Sequence, residues 1–287
     1  MVEVRAMNKI RDLNGVSGCQ VGLYRNADQM FVRKISSSIE YNPRMRKQCE
    51  KQIMFSNNCI LTPKVYERGY LPNGLYYFDM EYIQGQTLAS YLPHIESSRV
   101  QALAHNLIKC VIEREKNIPI IGHKLDPQTA FLEKLESLKG LAQSENNAKR
   151  AVEWLASLDY SCITPSQCHG DLTFENLIVG NDGLIYVIDE LDLFYSSWLL
   201  DVSKLLMDLD ISWSWRTKGR MDVNFRVRKM LLRESIKELL SESEYRLCLN
   251  LEMFHILRIV PYVRNIPKVC EYLNFSLGEI LKKVENI

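Results

Sequence analysis

No apolar run in this chain is long enough to cross a bilayer, and the opening Met1-Val2-Glu3-Val4-Arg5 lacks the apolar core of a secretion signal. Neither membrane insertion nor export is expected, and the cytoplasm is the expected compartment. Cys-x-x-Cys pairs are lacking as well: Cys19, Cys49, Cys59, Cys110, Cys162, Cys168, Cys248 and Cys270 are scattered, which argues against a zinc site and a disulfide framework. An excess of one charge is also missing, since 36 Lys and Arg face 35 Asp and Glu for a formal net charge of +1. A general nucleic-acid binder carries a pronounced basic excess, so nucleic acid is not an expected partner. Internal repeats and low-complexity segments are absent, which excludes a repeat architecture. What remains is ordinary globular usage, 46% apolar and 25% charged over 287 residues, enough chain for two cores.

The most informative stretch is Cys168-His169-Gly170-Asp171-Leu172-Thr173-Phe174-Glu175-Asn176. Thirteen residues after the Asn, Asp189 closes an apolar run. Between them, Leu177-Ile178-Val179 and Leu184-Ile185-Tyr186-Val187-Ile188 flank Gly180-Asn181-Asp182-Gly183. Two β-rich runs around turn chemistry predict a hairpin that sets Asn176 and Asp189 side by side.

The pattern H-x-D-x-x-x-x-N, then a hairpin, then Asp resembles the catalytic and metal loops of the protein-kinase-like superfamily. Within that superfamily the pattern is similar to that of the aminoglycoside phosphotransferases and choline/ethanolamine kinases. The resemblance implies a hydroxyl-directed phosphotransferase using ATP and Mg²⁺. Asp171 would serve the acceptor hydroxyl as general base, with His169 in the same catalytic motif. Asn176 and Asp189 would ligate Mg²⁺ through hard oxygens, the Asn without adding a second full negative charge beside Asp171.

Upstream, Gly15, Gly18 and Gly22 punctuate a strand, turn, strand pattern, and residues 30–35 read as a third strand. In the family such a turn covers the ATP phosphates, here at Gly18, and a Lys on the third strand reaches the α/β-phosphates. Lys34 is the candidate and Arg33 the rival. Alternation lets only one of them face inward, and Lys34 shares its face with Val32. Asn42-Pro43 opens a helix whose Glu50 is expected to partner that Lys, with Glu40 as the fallback. Arg44, Arg46, Lys47 and Lys51 read as its exposed face.

Met80-Glu81-Tyr82-Ile83-Gln84-Gly85-Gln86-Thr87-Leu88 resembles the family's hinge, M-E-Y-I-x-G-x-x-L. Main-chain groups from Glu81 to Ile83 would meet the adenine edge, and that mode of recognition leaves ATP or GTP open. Beyond it the chain turns helical: Val100, Leu103, Ala104, Leu107, Ile108 and Val111 form a stripe behind a cap at Ser97 or Ser98. Further helices are expected after Asp126 and over 199–209, 223–240, 242–257 and 276–284. The expected fold is therefore α+β and two-lobed, with a small antiparallel-sheet N-lobe over 1–83 and a larger, mainly helical C-lobe over 84–287.

Thr173 stands where protein Ser/Thr kinases usually carry Lys, Glu190-Leu191-Asp192 replaces Phe-Gly, and no Ala-Pro-Glu follows. Glu190 and Asp192 are extra acids close to the expected metal. The continuation to Phe194-Tyr195-Ser196-Ser197 is similar to the choline kinase metal loop. Asp201 resembles the buried Asp that braces the catalytic loop in aminoglycoside phosphotransferases. These departures favour a small-molecule hydroxyl acceptor: a sugar, amino sugar or amino alcohol. A protein Ser/Thr kinase and a nucleotide-binding pseudokinase scaffold are the alternatives. Asp208, Asp210, Trp213 and Trp215 are candidate acceptor contacts, because acids beside aromatic faces suit an ammonium group or a sugar ring.

Overall fold

The structure, a computed structural model, describes residues 7–13, 18–26, 29–54, 60–116, 125–142, 146–218 and 221–286. Two compact units emerge: Met1–Thr87 with Asn176–Asp192, and Leu88–Glu175 with Leu193–Ile287. Residues 14–17, which include Gly15, and residues 27–28 lie outside the described residues.

The first unit is built on an antiparallel sheet of β1 (Met7–Leu13), β2 (Gln20–Asn26), β3 (Gln29–Ile35), β6 (Tyr76–Glu81) and β5 (Val65–Tyr70), in the order β1-β2-β3-β6-β5. One helix, α1 (Asn42–Met54), belongs with it. Leu23, Val32, Phe78 and Met80 form its core with Met45 and Cys49 of α1. The start of α1 is tied down by Asn42, whose amide donates to Gly74 O at 2.8 Å and accepts from Tyr76 N at 2.8 Å. Asn42 thus fixes the helix against the turn that leads into β6.

Alternation along β3 decides between its two cations. Lys34 is 3% exposed and lies on the core side with Val32. Arg33 points the other way, makes a bidentate pair with Asp79 at 2.7 Å for each bond and lies over the Tyr77 ring. A second sheet, β4 (Ile60–Leu61), β9 (Ile185–Val187), β8 (Leu177–Gly180) and β7 (Gly85–Thr87), contains the expected hairpin. Its register pairs Leu177 with Val187 and Val179 with Ile185.

The second unit is helical: α2 (Leu88–Tyr91), α3 (Ser97–Lys116), α4 (Pro127–Ala142), α5 (Asn146–Ala156), α6 (Trp198–Ile211), α7 (Val223–Glu238), α8 (Glu242–Val263) and α9 (Pro267–Glu285). At its centre is α6, buried at every position except Asp210 and packed by α3, α7 and α8. Local chemistry marks several ends. Asp222 accepts from Phe225 N to cap α7, Ser241 and Glu244 form a reciprocal capping box on α8, and Pro267 opens α9. Helix α9 begins nine residues before the expected 276.

Helix α5 was not anticipated, although Ala148, Ala151, Val152 and Leu155 repeat at three, four and seven and are all buried. Small alanines make that stripe a faint signal. Among the described residues no helix is long and apolar enough to cross a membrane.

Candidate active site

In the first unit one predicted nucleotide contact and one predicted metal ligand form an ion pair. Lys34 Nζ lies 2.6 Å from Asp189 Oδ1, joining positions 155 residues apart. Burial works against the ammonium of Lys34, but the Asp189 charge and hydrogen bond overcome it, and the pKa is raised. Asp189 sits just past the end of β9 with φ +64°, a left-handed conformation that Asp tolerates better than most residues. Across the hairpin Ile188 N donates to Asn176 O at 3.0 Å, so Asn176 and Asp189 leave the same end of one ladder.

Segment 190–192, which follows Asp189, is held by α1. Lys51 Nζ donates to Leu191 O at 2.5 Å, and Lys47 pairs with Asp192 at 3.0 Å. The helix therefore serves this loop with lysines that the sequence placed on a solvated face. Glu50 does not meet Lys34; it pairs with Arg46 one turn away, at 3.5 Å. Asp189 already neutralises the buried Lys34, while Glu50 is 43% exposed on the helix surface.

Gly18 adopts φ +73° between β1 and β2, and that angle, not crowding, is what requires glycine there. At the expected hinge, Glu81 N donates to Lys64 O at 2.8 Å and Gln84 O accepts from Asn181 N at 2.8 Å. Ile83 lies between them, and among the described residues no protein group bonds its main chain. Glu81 does not offer its N–H to a base, because β5 is entered beside it.

In the second unit the loop around Asp171 is held by side chains of α6. Asp201 takes the N–H of His169 and, at 2.8 Å, that of Gly170. Asp208 takes Phe174 N at 2.8 Å and both the N–H and hydroxyl of Ser214, at 2.7 and 2.5 Å. Ser214 in turn accepts from Glu175 N at 3.2 Å. Lys204 Nζ lies 3.1 Å from Asp171 Oδ1. Burial would lift the Asp171 carboxyl, but Lys204, then His169 and Arg258, hold it below the usual carboxylate range.

No protein-family model and no curated protein matches this sequence. Solved structures do. The aminoglycoside phosphotransferase APH(4)-Ia superposes with a TM-score of 0.66 at 10% identity, covering 98% of this chain and 94% of that one. The GDP and kanamycin complex of APH(2")-IIia gives 0.59 at 14%, covering 99% and 93%. Choline kinase LicA from Streptococcus pneumoniae gives 0.55 at 16%, covering 98% and 94%.

The chain has the protein-kinase-like fold. Its α+β class, antiparallel-sheet N-terminal lobe and helical C-terminal part are those of these small-molecule kinases. Within this kinase-like fold several candidate residues have other work. His169 is 0% exposed, and its Nδ1 accepts from Asp171 N at 3.2 Å, so it shapes the loop and does not touch a substrate. Asp208 is also 0% exposed and braces the loop instead of meeting an acceptor. Trp215, 2% exposed, packs against Phe174 and Phe225 and donates to Ala89 O at 2.7 Å. Asp210 is taken up by Arg233 at 2.5 Å and Lys283 at 2.7 Å. Trp213 is half-buried beneath Arg216, which also pairs with Glu175 at 2.9 Å. Of the four proposed acceptor contacts, Trp213 keeps a partly open face and is tied to the loop through Arg216 and Glu175.

Lys204 was missed as a site residue. Its signal was a lysine inside Val202-Ser203-Lys204-Leu205-Leu206, an apolar stretch where a charge needs a partner. Nothing in the sequence names that partner.

Proposed function

We propose that this protein is an ATP-dependent small-molecule kinase that phosphorylates a hydroxyl of a sugar, amino sugar or amino alcohol. The observation that carries the reading is the pairing of buried Lys34 with Asp189 at the end of the Asn176 hairpin. A lysine and an aspartate 155 residues apart and 2.6 Å from each other form a charge pair with a half-exposed carboxylate. A purely structural pair gains little from such an arrangement.

Asn176 and Asp189 would hold Mg²⁺, and the donor set fits: two hard oxygens suit an ion that keeps its waters and takes phosphate oxygens as its other ligands. Among the described residues no cluster of three or more His, Cys, Asp or Glu is placed to hold a metal ion. Bound magnesium neutralises charge on the phosphates. Lys34 would contact the phosphates, Gly18 would lie in the turn over them, and Ile83 would offer its main chain to the base. Asp171 would accept the acceptor's proton while the acceptor oxygen bonds to the γ-phosphorus. The bond from that phosphorus to the bridging oxygen breaks, and ADP leaves with the electron pair.

Other proteins of this fold support the nucleotide and the acceptor class: a mutant of APH(4)-Ia has been solved with ADP and hygromycin B, and APH(2")-IIia with GDP and kanamycin. A small acceptor is further favoured by chain length. Only the eight residues 190–197 separate Asp189 from α6, too few for a folded platform that presents a peptide. The test is ADP release from Mg-ATP against pooled amino alcohols, sugars and aminoglycosides, with Asp171→Asn in parallel. Stimulation of the wild type and not of the variant supports the reading. Tight nucleotide binding with silence in every pool would leave a nucleotide-binding scaffold in its place.

A further inference from the structure

One stripe of α6 holds the catalytic loop at four residues, His169, Gly170, Asp171 and Phe174. Asp201, Lys204 and Asp208 recur at steps of three and four, which places them on one helix face. Asp201 takes the N–H groups of His169 and Gly170, Lys204 meets Asp171, and Asp208 takes the N–H of Phe174. The two acids satisfy backbone donors that an irregular buried loop leaves open. Lys204 has no such duty.

Its burial is otherwise hard to explain. Val202, Ser203, Leu205 and Leu206 around it are buried, and the Lys204 side chain is 9% exposed. An unbranched apolar side chain would fill the same space without the desolvation of an ammonium, and such replacements of buried charges are commonly tolerated. Among the described residues, Asp171 is the one carboxylate within ion-pair distance of it. Thr173, two residues past Asp171, brings no charge of its own to the loop.

We propose that Lys204 is a positioning residue for Asp171: its ammonium fixes the carboxylate in place and keeps it ready to take the acceptor's proton. This role rests on Asp171 serving as the base. The charged and titratable groups that face Asp171 are Lys204 from α6, His169 from the loop and Arg258 from α8, and Lys204 exerts the strongest pull of the three. Since Asp171 is one-third exposed, it is open to a substrate while Lys204 is not.

The test is a ¹³C-carboxyl NMR titration of Asp171, its signal assigned by loss in Asp171→Asn, in wild type, Lys204→Met and Lys204→Arg. The Asp171 midpoint is expected to rise by about one unit or more in Lys204→Met and to stay near wild type in Lys204→Arg. With a stimulating acceptor, the acid limb of kcat/KM should move by the same amount. Turnover should fall roughly tenfold while KM for ATP holds. Should methionine prevent folding, Lys204→Gln is read in the same way. A midpoint that stays put in a folded neutral variant overturns the proposal. A midpoint that moves, with no turnover from the wild type in any pool, upholds the Lys204–Asp171 pair and sinks the kinase reading instead.

Discussion

Each compact unit presents an aspartate held by a lysine that the fold has buried. Lys34 and Asp189 are 4% and 42% exposed in their side chains, and Lys204 and Asp171 are 9% and 34% exposed. The pairs are alike, but their supports are not. Asp189 ends a hairpin whose own ladder sets its place, with α1 lysines holding residues 191 and 192. Asp171 lies in a loop without a ladder, and two distant carboxylates on α6 must supply the acceptors that a partner strand would have offered. A hairpin carries its function on local bonds, whereas an irregular loop borrows its shape from elsewhere. Substitutions that remove a functional charge should therefore separate cleanly from those that remove a support.

The largest effect expected is on chemistry. Asp171→Asn should lower turnover by roughly 10²- to 10⁴-fold, with ATP affinity by calorimetry and the melting temperature close to wild type. A large loss of nucleotide affinity would mean that the two pairs do not divide binding from chemistry. Removing a support should act on stability instead. Asp208→Ala strips the acceptor from Phe174 N and from Ser214, at about 1–3 kcal/mol for each buried donor left open. Urea unfolding measures this, and an Asp208→Ala protein as stable as wild type would break the contrast.

Lys34→Met should weaken ATP binding by roughly 10- to 100-fold, the value of a charge-assisted contact, while Arg33→Met should disturb folding more than affinity. Equal affinity losses in the two variants would show that strand alternation does not sort their roles. The smallest effect concerns a buried acid with no lysine of its own. Glu252 is 0% exposed, no donor reaches either carboxyl oxygen among the described residues, and burial followed by the nearby Asp210 charge pushes its pKa well up. The folded state then keeps a proton that the unfolded state releases, so stability falls as pH rises above the ordinary Glu value of about 4.3. Glu252→Gln should raise the melting temperature at pH 8 and leave it nearly unchanged at pH 4. A gain of equal size at both would show that Glu252 is ionised in the fold.

The legible parts of the molecule share a property: their signals are local. The hairpin between Asn176 and Asp189 was readable from β-rich runs around Gly180 and Gly183, and the start of α1 from Asn42-Pro43. The inward turn of Lys34 followed from period-two alternation. Asp201 was readable as a brace through resemblance. The parts misread were partnerships between distant residues. Glu50 lies on the expected helix, but a helix does not state which of its charges meets a strand. Asp208 and Trp215 looked like acceptor contacts because acids and indoles clustered in sequence; the backbone of α6 and the turn after it carries them into the core, where one braces the loop and the other fills space.

Residue order alone settled the α+β division, the hairpin that carries Asn176 and Asp189, and the presence of the residue types on which the proposed phosphoryl transfer rests. These depend on hydrogen bonds and side-chain periodicity within a few neighbours. Tertiary structure alone decided that Lys34 meets Asp189, that Lys204 meets Asp171, and that Asp208 supports the loop and leaves the acceptor to others. A charge in an apolar surrounding must find an opposite charge or a hydrogen bond wherever packing supplies one, and which residue that is depends on the three-dimensional path of the whole chain.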